Sequence, residues 1–98
     1  MKKADRVHLQ KVADLGCVVC RNLGFGYSPA EIHHLRKGCG AGQRSAHKRS
    51  IPLCPPHHRN GGYGVAIHAG QRKWEENYGS EEALLEQVNR ELAGEFTA

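Results

Sequence analysis

The stretch Ile51-Pro-Leu-Cys-Pro-Pro-His-His58 decides how the rest of the chain is expected to fold. Six of its eight residues either ligate metal ions readily or, as prolines, restrict the backbone that presents such ligands. Upstream, Cys17-Val-Val-Cys20 offers a second ligand pair at the spacing that lets two thiolates reach one ion. Together with Cys54 and His57 it makes a Cys3His set. The sequence therefore predicts a zinc knuckle, formed by Cys17, Cys20, Cys54 and His57.

Length and composition agree with a metal-stapled fold. The 98 residues make one domain, 1–98, and only 39% are hydrophobic while twelve are glycine. A core of that size opposes chain entropy weakly, so bound metal is the expected supplement. The N-terminus lacks the apolar run of a signal peptide, and no stretch is long enough to cross a membrane. We therefore expect a cytoplasmic protein whose cysteines bind zinc and do not form disulfides.

The charge distribution points to a phosphate-rich partner. Residues 1–73 carry thirteen Lys/Arg against three Asp/Glu, whereas residues 74–98 carry one against seven. Basic side chains on backbone phosphates release counterions and steer association. The loop 36–49 contains no acid, and the predicted nucleic-acid contacts are Arg36, Lys37, Arg44, Lys48, Arg49 and, beyond the loop, Arg59. A basic surface that is merely solvated is the alternative.

The periodicity of apolar residues and the positions of glycine and proline predict an α+β domain. A helix is expected over 3–15, ended by Gly16, and short strands over 29–35 and 50–54. Pro55-Pro56 favours a turn or the first positions of a helix. A further helix over 70–78 would carry Trp74 and Tyr78 on one face, where they are expected to be core residues.

The last helix has the clearest signals. Ser80 is a good N-cap, and Glu81 and Glu82 suit the positive end of the helix dipole. An apolar stripe follows, made of Leu85, Val88 and Leu92. We expect this helix to be scaffold, with exposed acids that keep nucleic acid on another face.

Histidines beyond the knuckle indicate a catalytic site. A zinc site that only stabilises the fold needs four ligands, yet five further imidazoles near the knuckle remain after His57 is assigned: His33, His34, His47, His58 and His68. Histidine suits a metal that polarises a phosphate, and neutral histidine is the usual general base near neutral pH. A hydrolytic metal site is therefore expected beside the knuckle.

In combination these motifs resemble the ββα-metal endonucleases, also called HNH or His-Me finger nucleases. Within them the chain is most similar to the phage recombination-enhancement nucleases known as Ref, whose cleavage depends on the recombinase RecA. The resemblance covers most of the chain and rests on Cys17-x2-Cys20, Ile32-His-His-Leu35, Ile51-Pro-Leu-Cys-Pro-Pro-His-His58, Gly64-Val-Ala-Ile-His68 and Trp74-Glu-x2-Tyr-Gly79.

This resemblance implies a role for each candidate residue. The knuckle would hold a structural zinc, and a catalytic Mg²⁺, Mn²⁺ or Zn²⁺ would be bound by His33, His58 and His68. His34 would be the general base and His47 would orient it. Adjacent residues of a regular strand point to opposite faces, so the roles of His33 and His34 could be exchanged. Cys39 could replace His57 in the knuckle, and His47 could be an ordinary loop residue.

The sequence therefore predicts a small ββα-metal core with a zinc knuckle, flanked by N- and C-terminal helices. The expected function is metal-dependent DNA endonuclease activity, and the resemblance implies a role in phage recombination with a RecA filament as partner. The alternative is a non-catalytic, zinc-stapled module that binds nucleic acid and whose extra histidines are incidental.

Overall fold

A computed structural model of the chain describes residues 2–35 and 47–94. Its sheet has two antiparallel strands, β1 (Glu31–His34) and β2 (Ser50–Leu53), with His33 opposite Ile51 in the register. All four residues of β2 are buried, whereas in β1 only His33 is. The sheet therefore lies inside the domain, covered by helices, and the predicted α+β class is confirmed.

Two helices form the N-terminal part. Helix α1 (Lys3–Asp14) ends close to the predicted boundary, and Gly16 follows with a positive φ of 77°. A Cβ on Gly16 would lie 2.7 Å from the ring of Tyr27, so the glycine is required on two grounds. This tight turn delivers the chain to Cys17, which caps the short helix α2 (Val18–Asn22).

The C-terminal part contains two more helices, α3 (Gln71–Tyr78) and α4 (Glu81–Leu92). Trp74 of α3 is fully buried and packs edge-on against Tyr78, which confirms that this aromatic pair belongs to the core. The hydroxyl of Ser80 accepts the backbone N–H of Ala83, so the predicted N-cap of α4 is also confirmed.

The core joins these elements around the sheet. Apolar side chains from α1, α2, β2, α3 and α4 meet in one buried cluster that includes Val12, Val19, Ile51, Trp74 and Val88. Two short turns, a π-helical turn (Pro56–Asn60) and a 3₁₀ turn (Ile67–Ala69), connect β2 to α3. Across residues 2–35 and 47–94, no helix is long and apolar enough to cross a membrane.

A bidentate ion pair holds the last helix against the knuckle. Arg21 of α2 donates from both terminal nitrogens to the carboxylate of Glu91 of α4, each at 2.8 Å. Beside it, the side-chain amides of Asn22 and Gln87 exchange hydrogen bonds of 2.9 and 2.8 Å. Helix α4 is therefore attached to α2 by polar contacts as well as by its apolar stripe.

Candidate metal centres

The structure brings Cys17, Cys20, Cys54 and His57 together, with all four buried and their potential ligand atoms within 4.8 Å of one another. The sulfurs of Cys20 and Cys54 are 3.7 Å apart, and Nδ1 of His57 lies 3.7, 3.5 and 3.2 Å from the three sulfurs in chain order. Tetrahedral zinc with bonds of about 2.3 Å to sulfur and about 2.05 Å to nitrogen requires about 3.8 Å between sulfurs and about 3.6 Å between sulfur and nitrogen. This Cys3His cluster therefore has the size of a structural metal site.

Local geometry on each side explains how the Cys3His cluster forms. The thiol of Cys17 accepts the backbone N–H of Cys20 at 3.4 Å, as an N-cap residue does, and this turn directs both sulfurs inward. On the other side, Pro55 and Pro56 start the π-helical turn, and His57 lies three residues after Cys54. The two pairs come from separate segments, so the cluster ties them together.

Residues of helix α3 also contact the Cys3His cluster. The indole Nε1–H of Trp74 donates to the backbone carbonyl of His57 at 3.0 Å, and the ring of Tyr78 packs edge-on against the His57 imidazole. Burial lowers the pKa of His57, which keeps it in the neutral form that binds metal. Burial also raises the pKa of the Cys17 and Cys54 thiols, so their thiolates require a positive charge nearby.

A second cluster contains His33, His58 and His68, whose potential ligand atoms also lie within 4.8 Å of one another. These residues come from β1, the π-helical turn and the 3₁₀ turn respectively. The Nε2 atoms of His58 and His68 are 3.0 Å apart, and the ring centroid of His33 is 5.2 Å from each of the others. A pocket of about 310 Å³, lined in part by His33 and His68, opens beside this histidine cluster.

Two carboxylates determine which nitrogens face inward. Oε2 of Glu81 lies 2.6 Å from Nε2 of His33, and Oε1 of Glu31 lies 2.7 Å from Nδ1 of His58. Because an ionised carboxylate only accepts hydrogen bonds, these two ring nitrogens carry the protons. The opposite nitrogen of each ring then has a lone pair available. Within the described ranges, the buried Nδ1 of His33 has no hydrogen-bond partner, so the donor set fits a cation.

The turn between His58 and His68 depends on Gly61. The amide of Gly61 donates to the carbonyl of Pro56 at 3.0 Å, and a Cβ at this position would lie 2.3 Å from that oxygen. A larger residue would therefore push the chain out of the π-helical turn. This close approach allows the glycine-rich segment to return His68 to His58.

The alternation of the strand turns His34 toward His47, so His34 is not one of the clustered ligands although it is the chain neighbour of His33. Its Nε2 lies 3.2 Å from Nδ1 of His47, and the two rings pack edge-on. Partial burial, and then the neighbouring His47 and His33, lower the pKa of His34. His34 is therefore neutral at pH 7, which is the state a general base requires.

The predicted nucleic-acid contacts differ in their surroundings. Lys48 is exposed, Arg49 pairs with Glu82, and the exposed Arg59 makes two hydrogen bonds to Glu31, at 2.8 and 3.0 Å. Hydrogen bonds from Arg59, and then from His58, lower the pKa of Glu31 to about 2. Arg36, Lys37 and Arg44 lie outside the described residues, as does Cys39, the alternative knuckle ligand.

Sequence reasoning missed the two carboxylates. The expectation that Glu81 is an exposed acid on a scaffold helix is wrong, because Glu81 is only 1% exposed and contacts His33. Glu81 is the first residue of α4, where an acid is favoured by the helix dipole whether or not it is buried. The local sequence therefore did not distinguish Glu81 from Glu82. Glu31 precedes His33 by two residues on the same strand, which was the one available signal for it.

Comparison with known proteins identifies a family. A protein-family model described as "Recombination enhancement, RecA-dependent nuclease" matches residues 3–93, which include both clusters and all four helices. The comparison with curated proteins gives no match.

Proposed function

Because the chain belongs to the family of recombination-enhancement, RecA-dependent nucleases, we propose that it is a metal-dependent DNA endonuclease of the HNH type. Its reaction is hydrolysis of phosphodiester bonds at the histidine cluster. The core of this activity is a ββα-metal unit made of β1, β2 and the π-helical turn that follows them.

The observation that carries the proposal is a second cluster of potential metal ligands beside the Cys3His cluster. A metal that only stabilises the fold is already provided for by the buried cysteines. The histidine cluster differs because His68 is exposed and a pocket opens beside it, so a substrate can approach. An accessible cluster of imidazoles supports a catalytic role.

His34 acts as the general base in this mechanism. If Nε2–H of His34 donates to Nδ1 of His47 across their 3.2 Å contact, Nδ1 of His34 keeps its lone pair. That nitrogen takes a proton from water, and the resulting hydroxide attacks the phosphorus in line with the leaving oxygen. His47 contributes by fixing the tautomer and the ring orientation of His34, so it is a positioning residue.

His33, His58 and His68 hold the catalytic cation, for which Mg²⁺, Mn²⁺ and Zn²⁺ are the candidates. Such a cation, when bound, stabilises negative charge on the phosphate and on the leaving 3′ oxygen. The leaving 3′ oxygen takes a proton from solvent water, so the products carry 5′-phosphate and 3′-hydroxyl ends. The Cys3His cluster binds a structural zinc that fixes the π-helical turn and, with it, His58.

Basic side chains bring the DNA to this site. Lys48 and Arg49 stand at the start of β2, and Arg59 follows His58 directly, so phosphates on either side of the scissile bond can meet them. Arg49 and Arg59 exchange their carboxylate partners for phosphate on binding. Arg36, Lys37 and Arg44 are further phosphate contacts predicted from the sequence, and a RecA filament supplies the DNA form that is cut.

The test is conversion of supercoiled plasmid to nicked and linear forms, with and without a RecA filament, in Mg²⁺ or Mn²⁺. Wild type is compared with His34→Ala and with His8→Ala, a matched histidine on α1 outside both clusters. Loss of a positioned base is expected to reduce cleavage about 10²- to 10⁴-fold, while His8→Ala should cleave like wild type. A chelator would remove metal from the Cys3His cluster as well as from the histidine cluster, so the metal content of each protein is measured in parallel.

Two results would count against the nuclease. Equal cleavage by wild type and His34→Ala would remove His34 from the mechanism. Binding of DNA without cleavage, under every ion and with the filament present, would favour the non-catalytic zinc module.

A further inference from the structure

Glu81 combines three properties that are unusual for the first residue of a helix. It is 1% exposed, its Oε2 lies 2.6 Å from Nε2 of His33, and its Oε1 accepts a hydrogen bond of 2.7 Å from the amide of Gln71. Both oxygens are thus engaged, one by a strand residue and one by the first residue of α3. The carboxylate is held in one orientation.

Stability of α4 does not require this arrangement. Ser80 already caps the helix, and an exposed acid at the first turn, such as Glu82, interacts equally well with the helix dipole. Burial of a carboxylate costs free energy unless hydrogen bonds compensate for the lost water. The compensation here comes from Gln71 and from His33, and His33 itself belongs to the histidine cluster.

The contact determines which nitrogen of His33 can bind a cation. With its proton on Nε2, His33 presents the lone pair of Nδ1, the buried atom that has no hydrogen-bond partner within the described ranges. A carboxylate on the outer nitrogen also makes an imidazole a stronger ligand. We propose that Glu81 is a positioning residue that fixes the tautomer and orientation of His33, an inference that rests on the proposed function. Gln71 in turn holds the Glu81 carboxylate in place.

Glu31 provides a comparison within the same site. It contacts Nδ1 of His58 in the same manner, but its side chain is 30% exposed and is shared with Arg59. Water and Arg59 can replace or weaken that contact, whereas the Glu81 contact is shielded from solvent. Of the two carboxylates, Glu81 therefore has the larger influence on the affinity of the cluster. The contact between Glu81 and His33 also brings the segment between α3 and α4 into the site.

The experiment measures Co²⁺ affinity by calorimetry and by the visible spectrum of bound Co²⁺, using full-length protein adjusted to one zinc per chain. Glu81→Gln removes the charge at nearly constant volume. Glu86→Gln makes the same change on the exposed side of α4. We expect about 10- to 100-fold weaker Co²⁺ binding for Glu81→Gln and wild-type affinity for Glu86→Gln. Nicking by Glu81→Gln at low Mn²⁺ should recover as Mn²⁺ is raised.

Gln71→Ala keeps the proposal testable if Glu81→Gln does not fold, because it removes only the support of the carboxylate. It should weaken Co²⁺ binding by a smaller factor. In a His33→Ala background, Glu81→Gln should cause no further loss, since its effect acts through His33. Circular dichroism and retained zinc establish that each variant is folded.

A folded Glu81→Gln with wild-type Co²⁺ affinity would overturn the positioning role and leave the nuclease proposal intact. Conversely, Co²⁺ binding that depends on Glu81 in a protein that cuts no DNA would support the positioning role and count against the nuclease. Absence of Co²⁺ binding by wild type would overturn both.

Discussion

The Nε2 atoms of His58 and His68 lie 3.0 Å apart although ten residues separate them in the chain. Two Nε2 atoms that both carry a proton would repel each other at that distance. The pair therefore favours a single proton between the two nitrogens, or a cation bound to both. The 3.0 Å separation is close to the roughly 3.3 Å expected between two nitrogen ligands of a tetrahedral ion. The glycine-rich segment after Asn60 thus has a chemical consequence, since it converts distant histidines into neighbours.

Substitution of His68 tests that consequence. His68→Ala is expected to abolish binding of one divalent ion per chain at the histidine cluster and to leave the zinc of the Cys3His cluster in place. His68 is more exposed than His33, so its loss should change stability by less than about 1 kcal/mol. Metal analysis by native mass spectrometry, with thermal unfolding, checks both parts. Retention of both ions would contradict the ligand role.

Cys17→Ser tests the structural site. Structural zinc contributes on the order of 10 kcal/mol of binding free energy at pH 7, comparable with the whole stability of a small domain. We therefore expect Cys17→Ser to lose zinc and most of its cooperative unfolding transition. Cys39→Ser is the matched control, because Cys39 is the one cysteine of the sequence that is not part of the Cys3His cluster. Zinc loss in Cys39→Ser with Cys17→Ser unaffected would identify a different ligand set.

The pH profile of cleavage follows from the pKa of His34. Burial, His47 and His33 lower that pKa below the ordinary 6.5, so the base stays neutral as the pH falls through 6.5. Cleavage should therefore persist below pH 6.5 and decline only as the pH passes through the lowered pKa. His47→Ala removes one of the causes and should move the midpoint of this acidic limb upward. A wild-type midpoint at or above 6.5 would be inconsistent with His34 as base.

Trp74→Phe tests the support that α3 gives to the Cys3His cluster. The change removes the Nε1–H that donates to the carbonyl of His57 and also shrinks a fully buried side chain. We expect the free energy of unfolding to fall by about 1–3 kcal/mol with zinc stoichiometry unchanged. Tyr63→Phe, at a side chain that is 73% exposed, should stay within about 0.5 kcal/mol of wild type. Urea denaturation of the zinc-loaded proteins measures both values.

Much of the fold could be predicted because its signals are local. The N-cap at Ser80, the glycine after α1 and the aromatic pair of α3 each depend on residues within a few positions of one another. The family resemblance was also read from motifs, and the match over residues 3–93 confirms it. Strand β1 is shorter than predicted, because a two-stranded sheet ends where its partner does.

By itself, the sequence determined α1, α3, α4, the two strands and the types of ligand offered, since backbone geometry over one or two turns decides these, but it did not predict α2. The sequence left the roles of His33 and His34 open to exchange, and only the tertiary structure decided that His33 faces His58 and His68 while His34 faces His47. It also decided that Glu81, 48 residues from His33, is buried against it. The physical reason is that such contacts depend on how α3 and α4 pack on the sheet. An acid at a helix start reads the same in sequence whether it meets water or a histidine.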